Sequence, residues 1–168
     1  KTIIVEGGAG TGKTILAIFL FKLLNSNLED FNFQEFGEDE AEFMQLIESI
    51  KIKYPSPKMA LVVPMSSFRN TLKKVFKNIK GLNSNMVIGP AEVANDKYDI
   101  VVVDESHRLR RRVNLGAYFG AFDKACEKLS LDKHTCSELD WIIKQSNNAI
   151  LFYDENQSIK PSDARHED

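Results

Sequence analysis

The sequence predicts an α/β protein, a three-layer α-β-α sandwich whose mostly parallel sheet has about five strands, with a glycine-rich loop after the first strand. Three observations predict it. Short apolar or β-branched runs alternate with longer stretches of helical periodicity, the pattern of parallel strands joined by crossover helices. The strand candidates are apolar throughout rather than alternating, as strands covered on both faces are. The 168 residues, 43% hydrophobic and 27% charged, suffice to bury one core of ordinary domain size.

The elements follow in order. "TIIVE" (Thr2 to Glu6) is the first strand, and Gly7 to Gly12 form the loop. Lys13 to Leu24 are apolar almost all round, so this helix is expected to be buried, with Asn25 ending it. Residues 26 to 57 begin acidic and irregular. Phe43, Met44, Leu46, Ile47 and Ile50 then recur at helical spacing, until "YPSP" breaks the helix. "MALVVP" (Met59 to Pro64) reads as the second strand. Ser66 or Ser67 is placed to cap the next helix, whose apolar stripe is Phe68, Leu72, Val75, Phe76 and Ile79 and which Gly81 stops. "MVIG" (Met86 to Gly89) is a short strand, and "YDIVVVDES" (Tyr98 to Ser106) a longer one with carboxylates at its exit. Leu115, Tyr118, Phe119, Phe122 and Leu129 mark a further helix. Thr135 and Glu138 read as a capping box ahead of Leu139, Ile142 and Ile143. "AILFYD" (Ala149 to Asp154) is the last strand.

Composition narrows the function. The formal net charge of −2 excludes an overall basic footprint for nucleic acid, so any such contact needs a local patch. The apolar run Ile15 to Phe21 is too short to cross a membrane, no signal peptide is visible, and the two cysteines suit a reducing compartment. A cytoplasmic protein with no membrane partner is expected. The opening at Lys1 and the polar, aperiodic ending are those expected of one domain excised from a longer protein.

Gly7, Gly12, Lys13 and Thr14 fit G-x-x-x-x-G-K-[ST] between a predicted strand and a predicted helix. Glycines let backbone N–H groups turn inward around phosphates, and the following helix points its positive end at them. The nucleotide-binding set is therefore Gly7, Gly8, Ala9, Gly10, Thr11, Gly12, Lys13 and Thr14. Lys13 is placed to reach the β- and γ-phosphates, and the Thr14 hydroxyl to ligate Mg²⁺. Asp104, at the exit of an apolar strand, is the second candidate metal ligand, and the adjacent Glu105 is free to activate a water. A kinase has no need of that second carboxylate, so the pair favours hydrolysis over transfer to a small molecule. In "YDENQ" (Tyr153 to Gln157), Gln157 is a candidate for bonding the attacking water or the γ-phosphate.

Together "GGAGTGKT", "VVVDESHRL" and "FYDENQ" resemble motifs I, II and III of superfamily I helicases, and are most similar to the Schlafen-group-3-like DNA/RNA helicase domain of bacterial proteins. That family's second motif typically reads Asp-Glu-Ala-His-Arg; Ser106 stands here in place of the alanine. The resemblance implies a P-loop NTPase with a RecA-like sheet that uses ATP and Mg²⁺. It implies Lys13 and Thr14 on phosphate and Mg²⁺, Asp104 in the metal shell, Glu105 as general base and Gln157 as γ-phosphate sensor. His107 and Arg108 would couple the site to movement. It covers the first lobe only: residues 1–168 make one RecA-like domain, and a second RecA-like lobe of the parent chain would supply an arginine finger. Alone, the domain is expected to hydrolyse slowly or not at all.

Arg69, Lys73, Lys77 and Lys80 form one cationic stripe, where the resemblance places contact with single-stranded DNA or RNA. "RLRRR" (Arg108 to Arg112) is denser, and suits either phosphates or the acidic 26 to 45 region. Cys126, His134 and Cys136 lack a fourth ligand and a zinc-site spacing. The leading reading is an ATP-hydrolysing lobe of a nucleic-acid motor. The alternative is an ATP-dependent regulatory switch without unwinding activity.

Overall fold

A computed structural model of the chain describes residues 1–26 and 40–154. Gln157 and most of the acidic 26 to 45 region lie outside the described residues, as do the side chains of Phe43 and Met44. The elements run β1 (Thr2–Glu6), α1 (Lys13–Asn25), α2 (Glu40–Lys53), β2 (Met59–Val62), α3 (Ser66–Asn78), β3 (Val87–Ile88), β4 (Tyr98–Val103), α4 (Phe119–Lys128), α5 (Glu138–Gln145) and β5 (Ser146–Tyr153). Short 3₁₀ turns cover Pro90–Asn95, Ser106–Arg108 and Gly116–Tyr118.

All five strands are parallel, in the order β1-β5-β4-β2-β3. The last strand is thus inserted between the first and the acidic one: Val5 pairs with Phe152, and Leu151 with Val103. Side chains alternate between the two faces. Leu61, Val102 and Phe152 point to the face covered by Ala17 and Phe21 of α1 and Leu72 and Phe76 of α3. Val62, Val101, Val103 and Leu151 point to the other, where Ile142 of α5 meets them. A third cluster seats Phe122 of α4 on Trp141 of α5, ring centres 4.6 Å apart. Where both faces are covered, in β2, β3 and the Ile100–Val103 part of β4, the strand is apolar without interruption; β1, expected to be covered in the same way, is not, because Thr2, Ile3 and Ile4 are exposed.

Four expectations are corrected. α1 is not buried all round: Ala17, Phe21, Leu23 and Leu24 are, but Ile15 is 73% exposed and Leu16 and Phe19 about half. β1 is an edge strand, with Ile4 58% exposed, so the helix over it has only one covered side among the described residues. α3 has no hydroxyl cap; its N-cap is Met65, and Ser66 is already in the helix. The capping box of α5 is Ser137 with Asp140, not Thr135 with Glu138. The Thr135 hydroxyl instead donates to Asp132 O, and Glu138 turns inward. Finally, β5 begins three residues early, at Ser146. Its polar start is paid for by partners: Asn148 Nδ2 donates to Tyr54 Oη and Asp99 O, and Asn147 Nδ2 to Asp99 Oδ1.

Phe76 is fully buried, edge-on to Phe21 at 5.2 Å. Phe76→Ala should lower unfolding stability by about 3–5 kcal/mol, the scale for deleting a buried ring. Ile15→Ala should change it by about 0.5 kcal/mol or less, because the side chain leaves little in the core. Denaturant midpoints of the two variants check this; similar losses would contradict the packing.

Candidate functional site

Parallel order brings the exits of β1, β5 and β4 to one edge of the sheet. The glycine-rich loop leaves β1 and is tied at once to its neighbour, Gly7 N donating to Tyr153 O at 3.1 Å. Thr11 Oγ1 closes the loop onto Gly8 O at 2.9 Å. Gly12, the N-cap of α1, has φ 88°, a left-handed conformation that a Cβ disfavours. No side chain caps α1 and no acidic residue lies in its first turn, so its leading N–H groups stay available to an anion. Lys13 Nζ donates to Gly7 O and, at 2.7 Å, to Gly8 O, which keeps the ammonium inside the loop's curve.

Asp104 sits at the exit of β4, its own N–H bonded to Val62 O and its side chain fully buried. Its Oδ2 accepts from Thr14 Oγ1 at 2.8 Å, which joins the start of α1 to the end of β4 across the intervening β5. Its Oδ1 has no hydrogen-bond donor among the described residues. Burial raises the carboxyl above the ordinary aspartate range; the Thr14 hydroxyl opposes that shift, the neighbouring Glu105 charge adds to it, and the Glu105 backbone N–H and Lys13 work against it. A buried carboxylate oxygen without a donor, beside a hydroxyl oxygen, is the hard-oxygen pair that a Mg²⁺ ion takes. The residues present therefore fit that ion.

Glu105 leaves the strand direction through a left-handed backbone (φ 55°, ψ 50°), uncommon and costly for a residue with a side chain. Its Oε2 lies 3.1 Å from His107 Nε2 and 3.3 Å from Arg108 Nε. His107 is fully buried, its ring edge-on to Tyr153 at 6.1 Å. The contacts thus run from the loop through Tyr153 to His107 and Glu105. The sequence reading assigned no role to Tyr153, nor to Asp154, which is 1% exposed at the exit of β5. A signal existed: Asp154 closes an apolar strand just as Asp104 does.

The remaining candidates are dispersed. Arg69 turns away from the stripe, Nη1 donating to Val63 O at 2.8 Å; Lys73 is half-buried, and Lys77 and Lys80 are exposed. Gly89 packs so close that a Cβ there would stand 2.8 Å from Arg69 Nη1. Arg69 borders a cavity of about 370 Å³ beyond the exits of β2 and β3, lined also by Ser66, Gly89, Arg110, Tyr118 and Glu138. The arginine run is engaged within the fold. Arg112 makes a two-pronged pair with Asp123 at 2.7 and 2.9 Å, Arg110 lies over the Tyr118 ring, and Arg111 bridges to Ser137 through the backbone.

Glu138, buried at 1% exposure, organises this region. It accepts from Arg110 N and Tyr118 Oη, both at 2.8 Å, and its own N–H donates to Arg110 O. The sequence concealed it, because its place near a helix start read as a cap.

Sheet order, loop position and acidic strand exit define the class: an α/β sandwich of the RecA-like kind. The chain belongs to the Schlafen group 3, DNA/RNA helicase domain family, whose model matches residues 1–168. No curated protein and no solved structure matched it. No helix among the described residues is long and apolar enough to cross a membrane.

Burial raises the Glu138 carboxyl from 4.5 to about 7, against the pull of its Tyr118 and Arg110 bonds. The folded chain therefore holds this proton more tightly than the unfolded one. Its contribution is full below pH 4.5 and is lost as pH rises through about 7. Thermal midpoints measured across that window should fall with rising pH, and Glu138→Gln, uncharged throughout, should flatten the fall. Asp104, also raised, leaves a residual slope of the same sign. An unchanged slope in Glu138→Gln would show the carboxylate to be ionised in both states.

Proposed function

We propose that this chain is the ATP-binding and ATP-hydrolysing lobe of a helicase-like protein, coupling Mg-ATP hydrolysis to nucleic-acid binding or movement. The observation that supports it most is the Thr14–Asp104 contact, with the second Asp104 oxygen buried and lacking a donor among the described residues, one residue before Glu105. In this reading the loop N–H groups and the α1 N-terminus hold the phosphates, with Lys13 adding a point charge. Thr14 and Asp104 hold Mg²⁺, which neutralises charge on the phosphate oxygens when bound. Glu105 takes the proton of the attacking water. Gln157 contacts the γ-phosphate, and His107 and Arg108, both on Glu105, report its state to the rest of the lobe.

Arg110 and Arg112 are committed to Tyr118 and Asp123, so a catalytic arginine is supplied from elsewhere, by a second RecA-like lobe of the parent chain. Single-stranded DNA or RNA runs by Lys73, Lys77 and Lys80, while Arg69, expected in the same stripe, is turned to Val63 O. The same engagement of the arginines, with the net charge of −2, favours one alternative: a regulatory switch that hydrolyses ATP without unwinding. Stimulation of hydrolysis by single-stranded DNA or RNA distinguishes the two, because only the motor reading requires it.

Glu105→Gln should keep nucleotide affinity and lower single-turnover hydrolysis by about 10²-fold or more, the scale of a general base. Lys13→Ala should weaken binding itself. Equal turnover by wild type and Glu105→Gln would sink the assignment. Supplying the second lobe should raise the rate by about 10³-fold or more; comparable rates with and without it would place the finger in this chain.

A further inference from the structure

Two side chains of reactive chemistry lie outside the nucleotide site and take no part in it. Cys126 is on α4, and Cys136 is on the turn that leads into α5; both are free thiols. Their sulfurs are 2.8 Å apart. The turn between them is fixed by its backbone: Leu131 N donates to Cys126 O and Cys136 N to Asp132 O, each at 2.9 Å. Phe122, Trp141 and Leu129 share the third core cluster with the pair, and the Trp141 side chain also interacts with the Cys126 thiol. Access differs. Cys126 is 1% exposed, whereas Cys136, at 7%, lines an open cavity of about 440 Å³ beside Arg111, Arg112 and His134.

We propose that Cys126 and Cys136 are a peroxide-oxidisable dithiol, forming a reversible intramolecular disulfide that fastens the end of α4 to the N-cap of α5. The oxidant is hydrogen peroxide or an organic hydroperoxide. Cys136, the less enclosed of the two, attacks a peroxide oxygen as its thiolate; the O–O bond breaks, leaving a sulfenic acid and hydroxide, or an alkoxide from a hydroperoxide, which takes up the proton that Cys136 gave to solvent. The Cys126 sulfur then attacks the sulfenic sulfur. The S–S bond forms, the S–O bond breaks, and the hydroxyl leaves as water with the Cys126 proton. With hydrogen peroxide, the pair of thiols and one oxidant become a disulfide and two waters, and a dithiol reductant reverses the change. Burial, and then the bond with Cys136, push the Cys126 thiol up to about 12, so Cys126 keeps its proton and is not itself the target of the peroxide. The bond lies next to Ser137, the cap of α5, and one residue further is Glu138, which holds Arg110. The disulfide therefore pins the segment that follows Glu105.

The test is a hydrogen peroxide titration of the folded chain, read by thiol counting, intact mass and peptide mapping. The expected result is joint loss of both thiols, a mass lower by two hydrogens, a mapped Cys126–Cys136 peptide, and a thermal midpoint raised by roughly 5 °C or more. Cys126→Ser should stop at a Cys136 sulfenic acid that dimedone traps, and Cys136→Ser should leave Cys126 unmodified at the same peroxide dose. Should serine disturb the core, Cys126→Ala and Cys136→Ala provide the same readouts. Two thiols still free, a disulfide between chains, or sulfinic acid at Cys136 without a disulfide would each overturn the proposal.

Discussion

Everything in this fold depends on the seating of β5 between β1 and β4. Parallel pairing turns every strand exit to the same edge, so the glycine-rich loop, Asp104 with Glu105, and Tyr153 with Asp154 converge although far apart in sequence. The Thr14–Asp104 hydrogen bond can form only because β5 sets the distance between the two strands it separates. The intervening strand also brings Tyr153 within reach of both the loop backbone and His107.

That edge concentrates the polar cost of the fold. The strands bury their apolar side chains on both faces, and the buried carboxylates Asp104 and Asp154 stand where the apolar runs end. Taking an ionised carboxylate out of water is expensive unless partners compensate, and Asp104 is compensated on one oxygen only among the described residues. Residual polar demand of this kind is what a cation satisfies. The left-handed turn at Glu105 belongs to the same economy of space: the chain bends out of β4 immediately after Asp104, which sends His107 inward and Arg108 back to Glu105.

Beyond the edge, a second buried carboxylate has a structural part. Glu138 ties α5 to the arginine run through the Arg110 backbone and to the 3₁₀ turn through Tyr118. The arginines thereby acquire partners inside the molecule. The thiol pair occupies the same neighbourhood, where α4 and α5 meet, so these two helices carry contacts that hold the post-Glu105 segment in place.

Much of this was legible in the chain. Uninterrupted apolar runs such as "IVVV" and "ILF" identify strands covered on both faces, because no polar alternation survives when neither face meets water. The loop was legible because the positive φ of Gly10 and Gly12 admits few residues but glycine, and Asp104 because a carboxylate closing such a run is conspicuous. Local signals failed where a long-range contact outweighed them. Lys13–Leu24 read as buried, yet Ile15, Leu16 and Phe19 are open because β1 is an edge, and sheet order is invisible to a window of residues. Glu138 read as a cap, yet burial against Arg110 and Tyr118 reassigned it and left capping to Ser137 and Asp140. The last strand reads from Ala149, yet pairing with Tyr98 and Ile100 of β4 extends it back to Ser146. The sequence alone determined the fold class, the family motifs and the residues able to do chemistry, because these depend on residue type and short spacing. Which of those residues meet, and that Asp104 keeps one oxygen without a donor among the described residues while Arg110 and Arg112 are occupied, was decided by tertiary structure, because the partners lie outside any short spacing: Thr14 is 90 residues from Asp104, Glu138 28 from Arg110 and Asp123 11 from Arg112.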